Sequence, residues 1–103
     1  MAFGLTEKQI NQVKGELTEH PEITKVLIFG SRAKGTQREG SDIDLALVGE
    51  SISHKALLNL KSGLNNLELP FIFDTVIYSD IKEDALKDHI DRVGIVFYEK
   101  TEC

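Results

Sequence analysis

Residues 25–48 read KVLIFGSRAKGTQREGSDIDLALV, two apolar runs divided by a polar stretch punctuated by glycine. The first run, Lys25 to Phe29, is continuous and short, as expected for a buried strand that Gly30 ends. The polar stretch covers Ser31 to Ser41, and Asp42-Ile43-Asp44-Leu45-Ala46-Leu47-Val48 then resumes a strand pattern up to Gly49. Side chains at i and i+2 of a strand share a face, so Asp42 and Asp44 point one way while Ile43, Leu45 and Leu47 point the other. Two carboxylates are thereby aimed at one spot. The connection between the runs is too short for an ordinary helical crossover, which predicts that the two strands are antiparallel.

Working outward, Thr6 with Gln9 three residues later forms a capping-box start, and Ile10, Val13 and Leu17 follow on one helical face as far as about Glu19, before His20-Pro21. Downstream, Ser51 or Ser53 can cap a helix whose Leu57, Leu60, Leu64 and Leu67 recur at helical spacing, with Leu58 widening the stripe. Residues 71–78 are aromatic and β-branched and read as a third strand, with the single carboxylate of Asp74 in the middle. Asp80 with Glu83 resembles another helix start, Leu86, Ile90 and Val93 give that helix an apolar side, and Gly94 precedes a last short strand from Ile95 to Tyr98. The order α-β-loop-β-α-β-α-β predicts one α/β (α+β) domain over residues 1–103, with helices packed on a small mixed β-sheet.

Composition agrees. A chain of 103 residues, 41% hydrophobic and 28% charged with two prolines, has the make-up of one globular domain. Its formal net charge of −5 argues against direct nucleic acid binding over a broad basic face, because such affinity is mostly phosphate neutralisation. The only cysteine is Cys103, the start MAFGLTEKQI lacks a basic segment followed by an apolar signal core, and no apolar run reaches membrane-spanning length. A reducing cytoplasm, with no membrane partner, is the expectation.

The chemistry concentrates between Gly30 and Asp44. Gly30 allows a sharp turn off a strand, and Ser31 can cap a short helix and offer its hydroxyl or amide to a phosphate oxygen. Asp42 and Asp44 supply hard oxygen ligands suited to Mg²⁺ held against substrate phosphates, and Asp74 on a neighbouring strand can complete the set. With three carboxylates, one can serve as general base while two metal ions, typically about 3.5–4 Å apart, clamp the attacking and leaving oxygens. Arg32, Lys34 and Arg38 are candidate phosphate cations, although loop cations are commonly solvated surface.

The pattern Gly-Ser, ten residues, Asp-x-Asp, at Gly30, Ser31, Asp42 and Asp44, with the third acid Asp74 on a later strand, resembles the nucleotidyltransferase superfamily that includes polymerase beta and kanamycin nucleotidyltransferase. The likeness covers residues 26–76 and is closest to the minimal, single-domain members. It implies a polymerase beta-like fold and transfer of a nucleoside monophosphate, with ATP as the expected donor and AMP the group moved. Gly30 and Ser31 would hold the triphosphate with Arg32 beside them; Asp42, Asp44 and Asp74 would be catalytic and metal-binding, with two Mg²⁺ ions or Mn²⁺ in their place. Minimal members are commonly paired with a helical HEPN protein, several such pairs resembling toxin-antitoxin systems in which the enzyme transfers AMP to its partner. The acceptor would then be a protein or small-molecule hydroxyl.

Other motifs fail on particular residues. Gly30 and Gly35 suggest a Walker A loop, but Thr36 follows the second glycine where lysine is required. Leu45 and Ala46 after Asp44 exclude an EF-hand loop. His20, His54 and His89 show no metal-ligand spacing and read as structural or solvated. A non-catalytic module that binds a nucleotide or regulates a partner is the alternative, and two converging acids are hard to explain under it.

Overall fold

The computed structural model describes residues 3–35 and 42–100. Helix α1 (Glu7–Thr18) begins at the expected capping box: Gln9 N–H donates to Thr6 Oγ1 at 3.1 Å and Thr6 N–H donates to Gln9 Oε1 at 2.9 Å. Strand β1 (Ile23–Phe29), the short helix α2 (Ser31–Lys34) and strand β2 (Ile43–Gly49) follow. Helix α3 (His54–Asn66) is capped by Ser53, whose hydroxyl accepts from Ala56 N–H. Strand β3 (Phe73–Ile77), a single 3₁₀ turn (Tyr78–Asp80), helix α4 (Asp84–Val93) and strand β4 (Ile95–Glu99) complete the described chain. None of its helices is long and apolar enough to cross a membrane.

The strands form a mixed sheet in the order β3-β2-β1-β4. β1 and β2 are antiparallel, as their short connection predicts, β4 runs antiparallel along the other side of β1, and β2 and β3 are parallel across α3. Alternation divides the sheet into two faces. On one, Val26, Ile28, Ile43, Leu45, Leu47 and Ile77 pack with α1 and α3 through Val13, Leu17, Leu60 and Leu64. On the other, Phe29 and Ala46 meet Ile90 of α4, with Leu86 and Val93 of that helix packed around them. β2, central and covered on both faces, is therefore buried from Leu45 to Leu47 without the polar alternation of a one-sided strand.

Two local expectations are corrected. Leu58 does not widen the α3 stripe; one residue past Leu57 it is turned away from the sheet and is 50% exposed. Asp80 and Glu83 do not start α4. Asp80 closes the 3₁₀ turn, Ile81 stays extended and packs against the second core, and α4 starts only at Asp84, with Glu83 in the cap position and no side-chain cap bond. Ile81, partly buried against Phe29, Ala46 and Ile90, is extended where the helix would otherwise begin. The Tyr78 hydroxyl donates to Asp91 Oδ1 at 2.6 Å and ties the 3₁₀ turn to α4, and that bond raises the Tyr78 pKa above the usual phenol range.

Candidate active site

Strand pairing builds the site. Phe29 is the register partner of Asp44, and Asp44 is the register partner of Asp74 on β3. The ends of three neighbouring strands thus bring Gly30, Asp44 and Asp74 into one row. Asp74 and Val76 share the face of Asp44 and Ala46, which is the α4 side of the sheet. Asp42 precedes β2 and is exposed, Asp44 is half-buried and Asp74 is exposed.

Gly30 stands at the start of α2 with φ 77° and ψ −153°. A side chain there would be strained by that φ, and its Cβ would overlap Asp44 Oδ2. The bare backbone therefore forms the wall against which the Asp44 carboxylate lies. Ser31 is the first residue of α2 and not its cap; Gly30 holds the cap position, so the cap role read for Ser31 passes to the glycine.

Electrostatics follow from this crowding. Burial pushes the Asp44 carboxyl up from its usual range, the charges of Asp74 and Asp42 push it further, and His89 and Arg32 pull it back. The repulsion is what a bound cation would relieve. The donor set is all carboxylate oxygen, which suits a hard divalent ion. Yet among the described residues no three acidic, histidine or cysteine side chains converge closely enough to hold an ion by themselves. Asp44 and Asp74, with Asp42 nearby, offer oxygens of the kind that Mg²⁺ takes together with phosphate oxygens.

The candidate cations behave differently from one another. Arg32 is 4% exposed, donates from Nη1 to the Phe3 carbonyl at 2.6 Å and from Nε to the Asp42 carbonyl at 3.3 Å, and stacks on the Phe71 ring with its Cζ 4.9 Å from the centroid. Burial lowers its pKa, against the raising effect of Asp42 and Asp44. It joins the N-terminal segment to the start of β2. Lys34 is exposed, and Arg38 lies outside the described residues.

His89, read from sequence as surface, belongs beside the site. Its ring meets Phe29 edge-on at 6.2 Å, and its charge acts on Asp44. The signal was its spacing, three residues after Leu86 and four before Val93, which places it next to the buried stripe of α4. His20, by contrast, is structural: Nε2 lies 3.0 Å from Glu16 Oε2, and Nδ1 3.7 Å from Glu22.

Known proteins resemble this chain in sequence and in fold. The profile of the Polymerase beta, Nucleotidyltransferase family matches residues 11–103. The chain is 35% identical over 76 residues to the Haemophilus influenzae protein named Probable protein adenylyltransferase MntA, an overlap of 73% of this chain and 66% of that protein, just under two thirds of its length. Its fold is similar to a chain of a toxin-antitoxin complex solved with AMP-PNP, at TM-score 0.73 and 22% identity, covering 88% of this chain and 73% of that one. It is also similar to a chain of the complex of tri-AMPylated Shewanella oneidensis HEPN toxin with MNT antitoxin, at TM-score 0.69 and 17% identity, covering 93% and 74%. At such identities the two structures speak for the fold, and the profile match over nearly the whole chain speaks for descent: the chain belongs to the polymerase beta nucleotidyltransferase family.

Proposed function

We propose that this chain is a metal-dependent nucleotidyltransferase that moves AMP from ATP to a hydroxyl of a HEPN-type partner protein, as the antitoxin of a toxin-antitoxin pair in the cytoplasm. The observation that carries the reading is the row Gly30, Asp44, Asp74, in which two carboxylates are register partners and a glycine backbone lies against one of them. A partner-binding module has no use for such repulsion, whereas a phosphoryl-transfer site does.

The steps follow from position. The backbone at Gly30 and Ser31 takes the β- and γ-phosphates, and Arg32 keeps β2 in place by its bond to the Asp42 carbonyl. Asp42, Asp44 and Asp74 would hold two Mg²⁺ ions, which supply charge neutralisation at the α-phosphate and at the leaving oxygen when bound. Asp74 receives the acceptor's hydroxyl proton as the new O–P bond forms, and the bond from the α-phosphorus to the bridging oxygen breaks to release pyrophosphate. His89 of α4 lies edge-on to Phe29, the register partner of Asp44.

The deciding experiment is transfer of radiolabel from the α-phosphate of ATP, with Mg²⁺, to a HEPN-type partner protein, for wild type and Asp44→Asn. Label on the partner with wild type alone supports the reading. Copurification with equal inhibition of the partner by both forms, and no label, would replace transfer by binding.

A further inference from the structure

Beyond Asp74 the sheet ends. β3 is an outer strand of the sheet, and no described strand covers its far side. Ile43 N–H donates to the Ile72 carbonyl at 2.8 Å, so the peptide groups of Asp74 and Val76 turn toward β2 and those of Phe73, Thr75 and Ile77 turn outward. Alongside this edge lies an open cavity of about 430 Å³, walled by Leu57 of α3 and by Val76, Ile81 and Leu86. Thr75 lines it too. That side chain is 4% exposed, and its hydroxyl has no hydrogen-bond partner. A buried hydroxyl left unbonded in an otherwise apolar wall is a cost the fold does not recover by itself. The exposed side chains at the mouth are Asp80, Glu83 and Lys82, an acidic balance beside the exposed carboxylate of Asp74.

The transfer geometry makes this edge the acceptor's side. This step rests on the reading given under Proposed function. In an in-line displacement the attacking and leaving oxygens lie on opposite sides of the phosphorus. With the departing pyrophosphate at Gly30 and Ser31 beyond β1, and the acids of β2 and β3 following in order, the attacking hydroxyl comes from past Asp74. We infer that the acceptor protein docks an extended, basic segment along the open edge of β3, seating an apolar side chain between Leu57, Ile81 and Leu86 and bonding the Thr75 hydroxyl. The outward peptide groups of β3 supply the strand-addition contacts, the cavity and the hydroxyl select one residue, and the acidic mouth selects flanking Lys or Arg.

The test uses the full chain with a HEPN-type partner protein as acceptor, measuring label transfer as a function of acceptor and, separately, of ATP. Thr75→Val removes the unpartnered hydroxyl at nearly constant volume. It is expected to raise the melting temperature of the free protein and to raise the KM for acceptor about 3- to 10-fold, the size of one neutral hydrogen bond, with the KM for ATP unchanged. Glu83→Lys, a surface change that leaves the core intact, should raise the acceptor KM further as salt is lowered. Ile81→Asp should raise it at least tenfold, with circular dichroism confirming the fold. Wild-type transfer together with an unchanged acceptor KM in all three variants overturns the docking site and leaves the nucleotidyltransferase reading standing. No transfer by wild type overturns both.

Discussion

Gly30 and Asp44 occupy each other's space, and two consequences follow at the scale of single residues. A Cβ at position 30 meets Asp44 Oδ2 and must also adopt φ 77°. Gly30→Ala is therefore expected to lower stability by about 1–3 kcal/mol, the range for strained backbone, and to displace the carboxylate enough to reduce transfer at least a hundredfold. Urea titration and single-turnover label transfer measure the two effects separately. Asp44→Asn acts in the opposite direction on stability. The folded protein holds the Asp44 carboxyl above its ordinary value, so its ionised form is disfavoured by folding. That cost is absent below the ordinary carboxylate range and grows as pH rises through it toward the raised folded value. The variant should melt a few degrees above wild type at neutral pH without metal, converge with it at acid pH, and transfer no label. A lower melting temperature for the variant at neutral pH would contradict the repulsion.

Among the elements, those announced by local chemistry were legible in the sequence and those decided by tertiary packing were not. Thr6 and Gln9 fix the start of α1, and Ser53 fixes that of α3, because a cap is satisfied within one turn of the chain. Strand alternation is local and sets the face of Asp44, but the pairing of Asp44 with Asp74 required the parallel register of β2 and β3, which no spacing reveals. The α4 start departs from the expectation for the same reason: Asp80 and Glu83 satisfy a capping pattern, while packing of the partly buried Ile81 against the second core overrides it. The surroundings of His89 and Arg32 were not legible, because the sequence does not say which face of the sheet α4 covers or that Phe71 and the Phe3 carbonyl enclose a guanidinium. The separation of cap from site is itself testable. Thr6→Ala removes a capping box whose two bonds stay within the first turn of α1 and should cost about 1 kcal/mol by urea denaturation, with kcat and both KM values for transfer unchanged. A fall in kcat would mean that α1 communicates with the site.

For the molecule as a whole, the proposed function asks how a chain of net charge −5 would take a polyanionic nucleotide. Long-range attraction cannot do it, and the described residues hold no ready-made three-ligand metal cluster. Under the proposed function, metal and nucleotide would each complete what the other lacks: phosphate oxygens would add to the ligands offered by Asp44 and Asp74, and the ion would neutralise both the phosphates and the paired acids. Binding should therefore be cooperative. Mg²⁺ alone should shift the melting temperature slightly, ATP with chelator should shift it little or downward, and Mg²⁺ with ATP should stabilise by about 2.7 kcal/mol at a hundredfold excess over the dissociation constant. For a domain near 100 residues each kcal/mol is worth about 4–8 °C, so the combined shift exceeds ten degrees while the separate shifts do not add up to it. Asp74→Asn should reduce that combined shift, since it removes one carboxylate from the row, and Lys34→Ala should leave most of it, since Lys34 is exposed beyond the turn. A full shift from ATP in the presence of chelator would mean that the chain holds the nucleotide by its own cations, and the acids of β2 and β3 would then need another explanation.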